Sequence, residues 1–276
     1  MKLKTPRVLG AIVATGGLCA LAQSANAGLL ITEVDPFGSA NGSGYAADWF
    51  ELTNTGTTAV TLSTLTMTDD HADSNASAAS GTDPAAYYAA GTISTSNLGS
   101  TFAPASLTLA NGQSTLGAGQ TAVFLESSSV ATAAASTTLI SNFKTAWGSS
   151  LPSNALIGVY DDSLGSKSSE YGLSQSNDMV NIFQSGSLLA SVALGADGSG
   201  TPLGTFDNTA GANKAVLSTF SEAGVNGAFD SASGAEIGSP GVAPVPLPGT
   251  LGMLLSGVGA LIGLVRRPRL RVHTLP

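Results

Sequence analysis

The sequence predicts an all-β sandwich, on three observations: short apolar runs of strand length, turn dipeptides between them, and the scarcity of capped helix-period segments. Leu29–Val34, Trp49–Leu52 and Thr121–Leu125 are short apolar or alternating runs. Val60 and Leu62, then Leu65 and Met67, recur at every second residue, the spacing that sets side chains on one face of a strand. Met179–Phe183, the pair Ser185-Gly186 and Leu188–Leu194 form the clearest hairpin.

Asn41-Gly42, Asn111-Gly112, Asn226-Gly227 and Asp197-Gly198 mark reversals, because Asn, Asp and Gly accept the positive φ that a tight turn needs. The one stretch with helical spacing is Ser141–Trp147, where Phe143 and Trp147 are four apart. Residues 71–100 are poor in aliphatics and rich in small polar side chains, as in a long loop or insertion at about 71–100 between strands. Trp49 and Trp147 are read as core residues rather than as a sugar-stacking platform.

The two ends of the chain read as addresses. Lys2, Lys4 and Arg7 precede the apolar run Val8–Leu21, and Ala25-Asn26-Ala27 supplies an A-x-A site that predicts cleavage before Gly28, so 1–27 is a signal peptide. The single cysteine, Cys19, leaves with that segment, which removes disulfides and thiol chemistry from the exported body. At the other end, Gly249–Val265 is uncharged, about 25 Å long as a helix against a hydrocarbon core of about 30 Å, and predicts a single transmembrane helix. Arg266, Arg267, Arg269 and Arg271 follow it and orient it with the arginines inside. Between the ends, three lysines face all eighteen acidic residues, a net charge of −15 that repels a phosphate backbone and argues against nucleic-acid binding.

Two family resemblances accompany these patterns. Val245-Pro246-Leu247-Pro248, the short Gly/Leu helix and the arginine cluster over 244–271 resemble the PEP-CTERM sorting tail, in a variant with Leu247 between the prolines. That resemblance implies an exosortase-type membrane transpeptidase as partner, at least transient membrane residence through the C-terminal helix, and a final place at the cell surface or in an extracellular polysaccharide matrix. Over 28–243, LLITEVD (29–35), DWFELTNTGTTAVTLSTLTMTDD (48–70), LGAGQTAVFLES (116–127), LSQSNDMVNIFQSGSLLASVALG (173–195) and GSPG (238–241) resemble, in order, the motifs of the lamin-tail domain. It implies an immunoglobulin-like β-sandwich.

The catalytic inventory is thin. His71 is the only histidine of the predicted exported part, beside Asp69, Asp70 and Asp73, and no nucleophile elbow accompanies it. Asp69, Asp70 and Asp73 are candidate Ca²⁺ ligands through hard oxygens, without the full spacing of an EF-hand loop; no other cofactor is expected. Glu33, Asp35, Asp48 and Glu51 near strand ends are candidates for paired acid and base work, as in a glycosidase, although lamin-tail motifs carry similar acidic residues without implying catalysis. Three functions stay open: a non-enzymatic surface or matrix module that binds polysaccharide or surface proteins, a secreted hydrolase of matrix polymers, and a permanently tail-anchored envelope scaffold.

Overall fold

A computed structural model of the chain describes residues 28–39, 42–68, 105–127, 133–161, 173, 175, 178–196, 198, 200 and 202–243. In chain order the elements are β1 (Leu29–Asp35), β2 (Trp49–Asn54), β3 (Val60–Thr61), β4 (Leu65–Thr68), β5 (Ala105–Leu109), β6 (Thr115–Leu116), β7 (Thr121–Ser127), α1 (Ala133–Trp147), β8 (Leu156–Asp161), β9 (Met179–Gln184) and β10 (Ser187–Leu194). Five short strands follow: β11 (Leu203–Gly204), β12 (Phe206–Asp207), β13 (Ala215–Leu217), β14 (Phe229–Asp230) and β15 (Glu236–Gly238). The described chain is therefore mostly β, with one α-helix.

Ten strands hydrogen-bond in the order β12-β1-β2-β7-β8-β5-β4-β9-β10-β13. Strand β5 is the corner of this sheet. Its first residues pair with β4 (Met67 with Ala105, Thr66 with Ser106) and its last three pair with β8 (Leu107 with Tyr160, Leu109 with Gly158). The sheet consequently folds over, and one core encloses Ile31, Phe50, Leu52, Phe124 and Tyr160 from one half with Leu65, Met67, Val180, Ile182 and Val192 from the other. Each fully buried large apolar side chain contributes about 1.5–3 kcal/mol of transfer free energy.

The hairpin β9–β10 turns through Ser185 and Gly186, both at positive φ (49° and 81°), the turn whose twist matches that of the flanking strands. Asn226 and Gly227 (φ 50° and 85°) reverse the chain before β14 in the same way. Asn41 and Asp197 lie outside the described residues.

Two elements exceed what the sequence patterns indicated. Helix α1 covers Ala133–Trp147, about twice the stretch marked by Phe143 and Trp147. It begins in a run of Ala, Ser and Thr whose composition resembles a loop, and tertiary packing decides it: Ile140, Phe143, Ala146 and Trp147 lie on Trp49, Val123, Leu125, Ile157 and Val159, the outer face of β2, β7 and β8. Gly148 at φ +62° ends the helix. Strand β8, which carries no clean alternation in sequence, runs parallel to β7, and α1 is the crossover between them. Residues 1–27, expected as a signal peptide, the loop expected at about 71–100, Asp69, Asp70, His71, Asp73 and the segment 244–276 lie outside the described residues. Among the described residues no helix is long and apolar enough to cross a membrane.

Candidate functional site

Strand β1 contains the feature that builds the site. Pairing with β2 runs Ile31 to Leu52 and then Glu33 to Glu51, so Thr32 is an extra residue and the strand bulges there. Leu29 and Ile31 face the core before the bulge and Val34 faces it after, so strict alternation is broken. Without the bulge, strict alternation through Thr32 would put Glu33 and Asp35 on the face of Ile31, in the apolar core. With it, they lie on the opposite face, the one from which Trp49 of β2 meets α1.

That face gathers five acidic residues, all buried: Glu33, Asp35, Asp48, Glu51 and Glu236. Glu33 and Glu51 stand directly across β1 and β2. Glu33 Oε1 accepts from Thr205 Oγ1, from Ser221 Oγ (3.3 Å) and from the Ser239 amide (2.8 Å), and its Oε2 accepts from Ser239 Oγ (3.1 Å). Glu51 accepts from Thr32 Oγ1 (2.7 Å) and from the Gly241 amide (2.6 Å). The turn Gly238–Gly241 thus closes over the pair with its own donors. Gly238 is required there, because a Cβ would stand 2.7 Å from Glu33 Oε1 and 3.0 Å from Trp147.

Alongside lies a second nest. Tyr45 Oη is 3.1 Å from Asp35 Oδ2 and 2.9 and 2.8 Å from the two oxygens of Glu236, and it accepts from Trp49 Nε1 (3.0 Å). One phenolic proton cannot serve three acceptor oxygens. A carboxyl proton shared between Asp35 and Glu236 resolves the count. Asp35 Oδ1 accepts from the Phe37 amide and Asp48 from the Ser39 amide.

The electrostatics follow from burial without a counter-charge. Among the described residues the cationic side chains are Lys144 and Lys214, both exposed. Burial pushes the Glu33 carboxyl up to about 7, opposed by the Thr205 and Ser239 donors and helped by Asp207. Burial likewise pushes Glu236 up to about 7. Burial and then the neighbouring Glu236 hold Asp35 well above the carboxylate range, and burial and then Glu33 do the same to Glu51. Burial raises Asp48 as well, and the Tyr45 phenol rises for the same reason, reinforced by Asp35 and Glu236.

The structure therefore joins all four carboxylates that the sequence marked as acid and base candidates, but seals them from solvent. It adds Glu236, Tyr45, Thr205 and Ser221, which no local pattern marked, and Ser239 of the GSPG motif, which no pattern tied to the carboxylates. The only hint for Glu236 was that this last acidic residue of the chain lies two positions before Gly238 of GSPG. A hollow of about 310 Å³ lies at the other end of β1 and β2, around Leu29, Asn54, Val60 and Gln184, and none of its lining residues is titratable. Among the described residues no group of three or more His, Cys, Asp or Glu is arranged to hold a metal ion. No family model matches this chain, and neither curated proteins nor solved structures give a significant match.

Proposed function

We propose that this chain is a non-enzymatic exported module of the cell surface or of an extracellular polysaccharide matrix, an immunoglobulin-like sandwich of lamin-tail type that binds polysaccharide or surface proteins. One observation carries the non-enzymatic part. The carboxyls that would serve a hydrolase are buried and engaged by internal donors, so their chemistry is used to fasten the C-terminal strand and turn to β1 and β2. A glycosidase needs its two carboxyls open to a sugar from opposite sides.

The address part rests on the sequence. Cleavage before Gly28 releases the body, and Val245, Pro246, Leu247 and Pro248 with Arg266, Arg267 and Arg269 mark a tail for an exosortase-type transpeptidase after passage through the inner membrane. Intact mass and C-terminal peptide mapping of protein from the envelope and from the extracellular fraction test this. A chain starting at Gly28 and ending near Val245 to Pro248 supports sorting, whereas a membrane chain that retains Arg271 makes it a permanently anchored scaffold. Hydrolysis of matrix polymer by the purified chain, lost on Glu33→Gln, would overturn the non-enzymatic reading.

A further inference from the structure

We propose that the turn Gly238–Gly241 is a proton-dependent latch, closed onto β1 and β2 while the facing Glu33 and Glu51 keep a proton and loosened when both ionise. The geometry separates this turn from the strand before it. Strand β15 is held by main-chain bonds, Thr205 N to Ile237 O (2.9 Å) and Ser231 N to Glu236 O (2.8 Å), together with its pairing to β11 and β14. The turn instead sends its donors, Ser239 N, Ser239 Oγ and Gly241 N, to the two carboxyls. The bond from Val242 N, the residue after the turn, to Ser239 O (2.9 Å) is local and ties the turn to neither β1 nor β2. What happens to the carboxyls is therefore felt first at the turn.

The groups around the pair offer no charge compensation. Strand β1 supplies Thr32 and Asp35, β12 supplies Asp207, the residue before it is Thr205, the segment after β13 supplies Ser221, β15 supplies Glu236, and the segment before β2 supplies Tyr45 and Asp48. Lys144 on α1 and Lys214 are exposed. Two anions across one strand pair in this surrounding must recruit water, and the turn, three of whose donors end on them, is the element that water would displace. A single proton on the pair is readily accommodated. Glu51 accepts from a chain of hydroxyls, Thr32 to Thr53 (3.1 Å) to Thr121 (2.9 Å), in which the two hydroxyl–hydroxyl bonds can each run either way. The device does not depend on where the chain is sorted.

Trp147 reports the latch, since it is fully buried and its ring edge is 3.0 Å from where a Cβ on Gly238 would sit. The experiment is acrylamide quenching of tryptophan emission in the full chain from about pH 5 to about pH 9, with far-UV circular dichroism alongside. The quenching constant should at least double as the pH rises across this range, with unchanged dichroism, and the response should be flat in the double variant Glu33→Gln, Glu51→Gln. Flat quenching in the unmodified chain, a response retained by the double variant, or loss of dichroism over the same range would overturn the latch. Should the double variant not fold, hydrogen exchange of the unmodified chain decides, corrected for intrinsic rates. Selective speeding of peptides spanning 236–243 over those spanning 179–194 at high pH is expected, and uniform or absent speeding overturns it.

Discussion

Replacing Glu33 by glutamine gives the most direct prediction about stability. The folded state holds the Glu33 proton up to about pH 7, whereas an ordinary glutamate releases it near 4.5. A folded-state pKa above the unfolded value means that the associated stability is complete below about pH 4.5, declines as pH rises, and is gone above about 7. At about 1.36 kcal/mol per unit, that is about 3 kcal/mol, shared with Glu51 because the two titrate as a pair. Glutamine keeps an acceptor for Thr205 and the Ser239 amide, offers Ser239 Oγ an amide donor in place of the acid proton, and does not ionise.

Thermal melts of both proteins at about pH 5 and about pH 8 measure the effect. Near pH 5 the variant should melt within a few degrees of the unmodified chain, a difference of about 1 kcal/mol or less. Near pH 8 it should melt about 6–12 °C higher, at about 2–4 °C per kcal/mol for a body of this size. A variant that is less stable at pH 8, or that keeps the unmodified pH slope, refutes the argument that an uncompensated carboxyl sits there.

Further outcomes follow from neighbouring contacts. Gly238→Ala forces a Cβ against Glu33 and Trp147 and should cost about 1–3 kcal/mol by urea denaturation. Phe143→Ala removes the ring that meets Tyr45, Trp49 and Trp147 and should cost about 3–5 kcal/mol, with loss of helical dichroism as α1 detaches. Trp49→Phe should be more damaging than Trp147→Phe by about 1–3 kcal/mol. Trp49 Nε1 donates to Tyr45 and leaves that oxygen without its donor, whereas the buried Trp147 Nε1 has no hydrogen-bond partner among the described residues.

The sequence by itself determined the strands whose pattern is local. LLITEVD, WFEL and TAVFL alternate or run apolar because one or both of their faces are buried, and SG between two such runs specifies the β9–β10 turn through the backbone freedom of its glycine. It also marked Glu33, Asp35, Asp48 and Glu51, near strand ends, as candidates for paired acid and base work. Tertiary structure decided what those carboxylates are for. Whether a buried acid is a catalyst or a fastening depends on what lies over it, and here the cover is a turn some 190 to 206 residues further along, whose amides are aimed at Glu33 and Glu51. Neither the bulge at Thr32 that turns Glu33 away from the core nor the first half of the helix that shields its neighbours is encoded by a local period. Both exist because β1, β2 and β7 must bury two faces at once, and that is a property of the packed sheet.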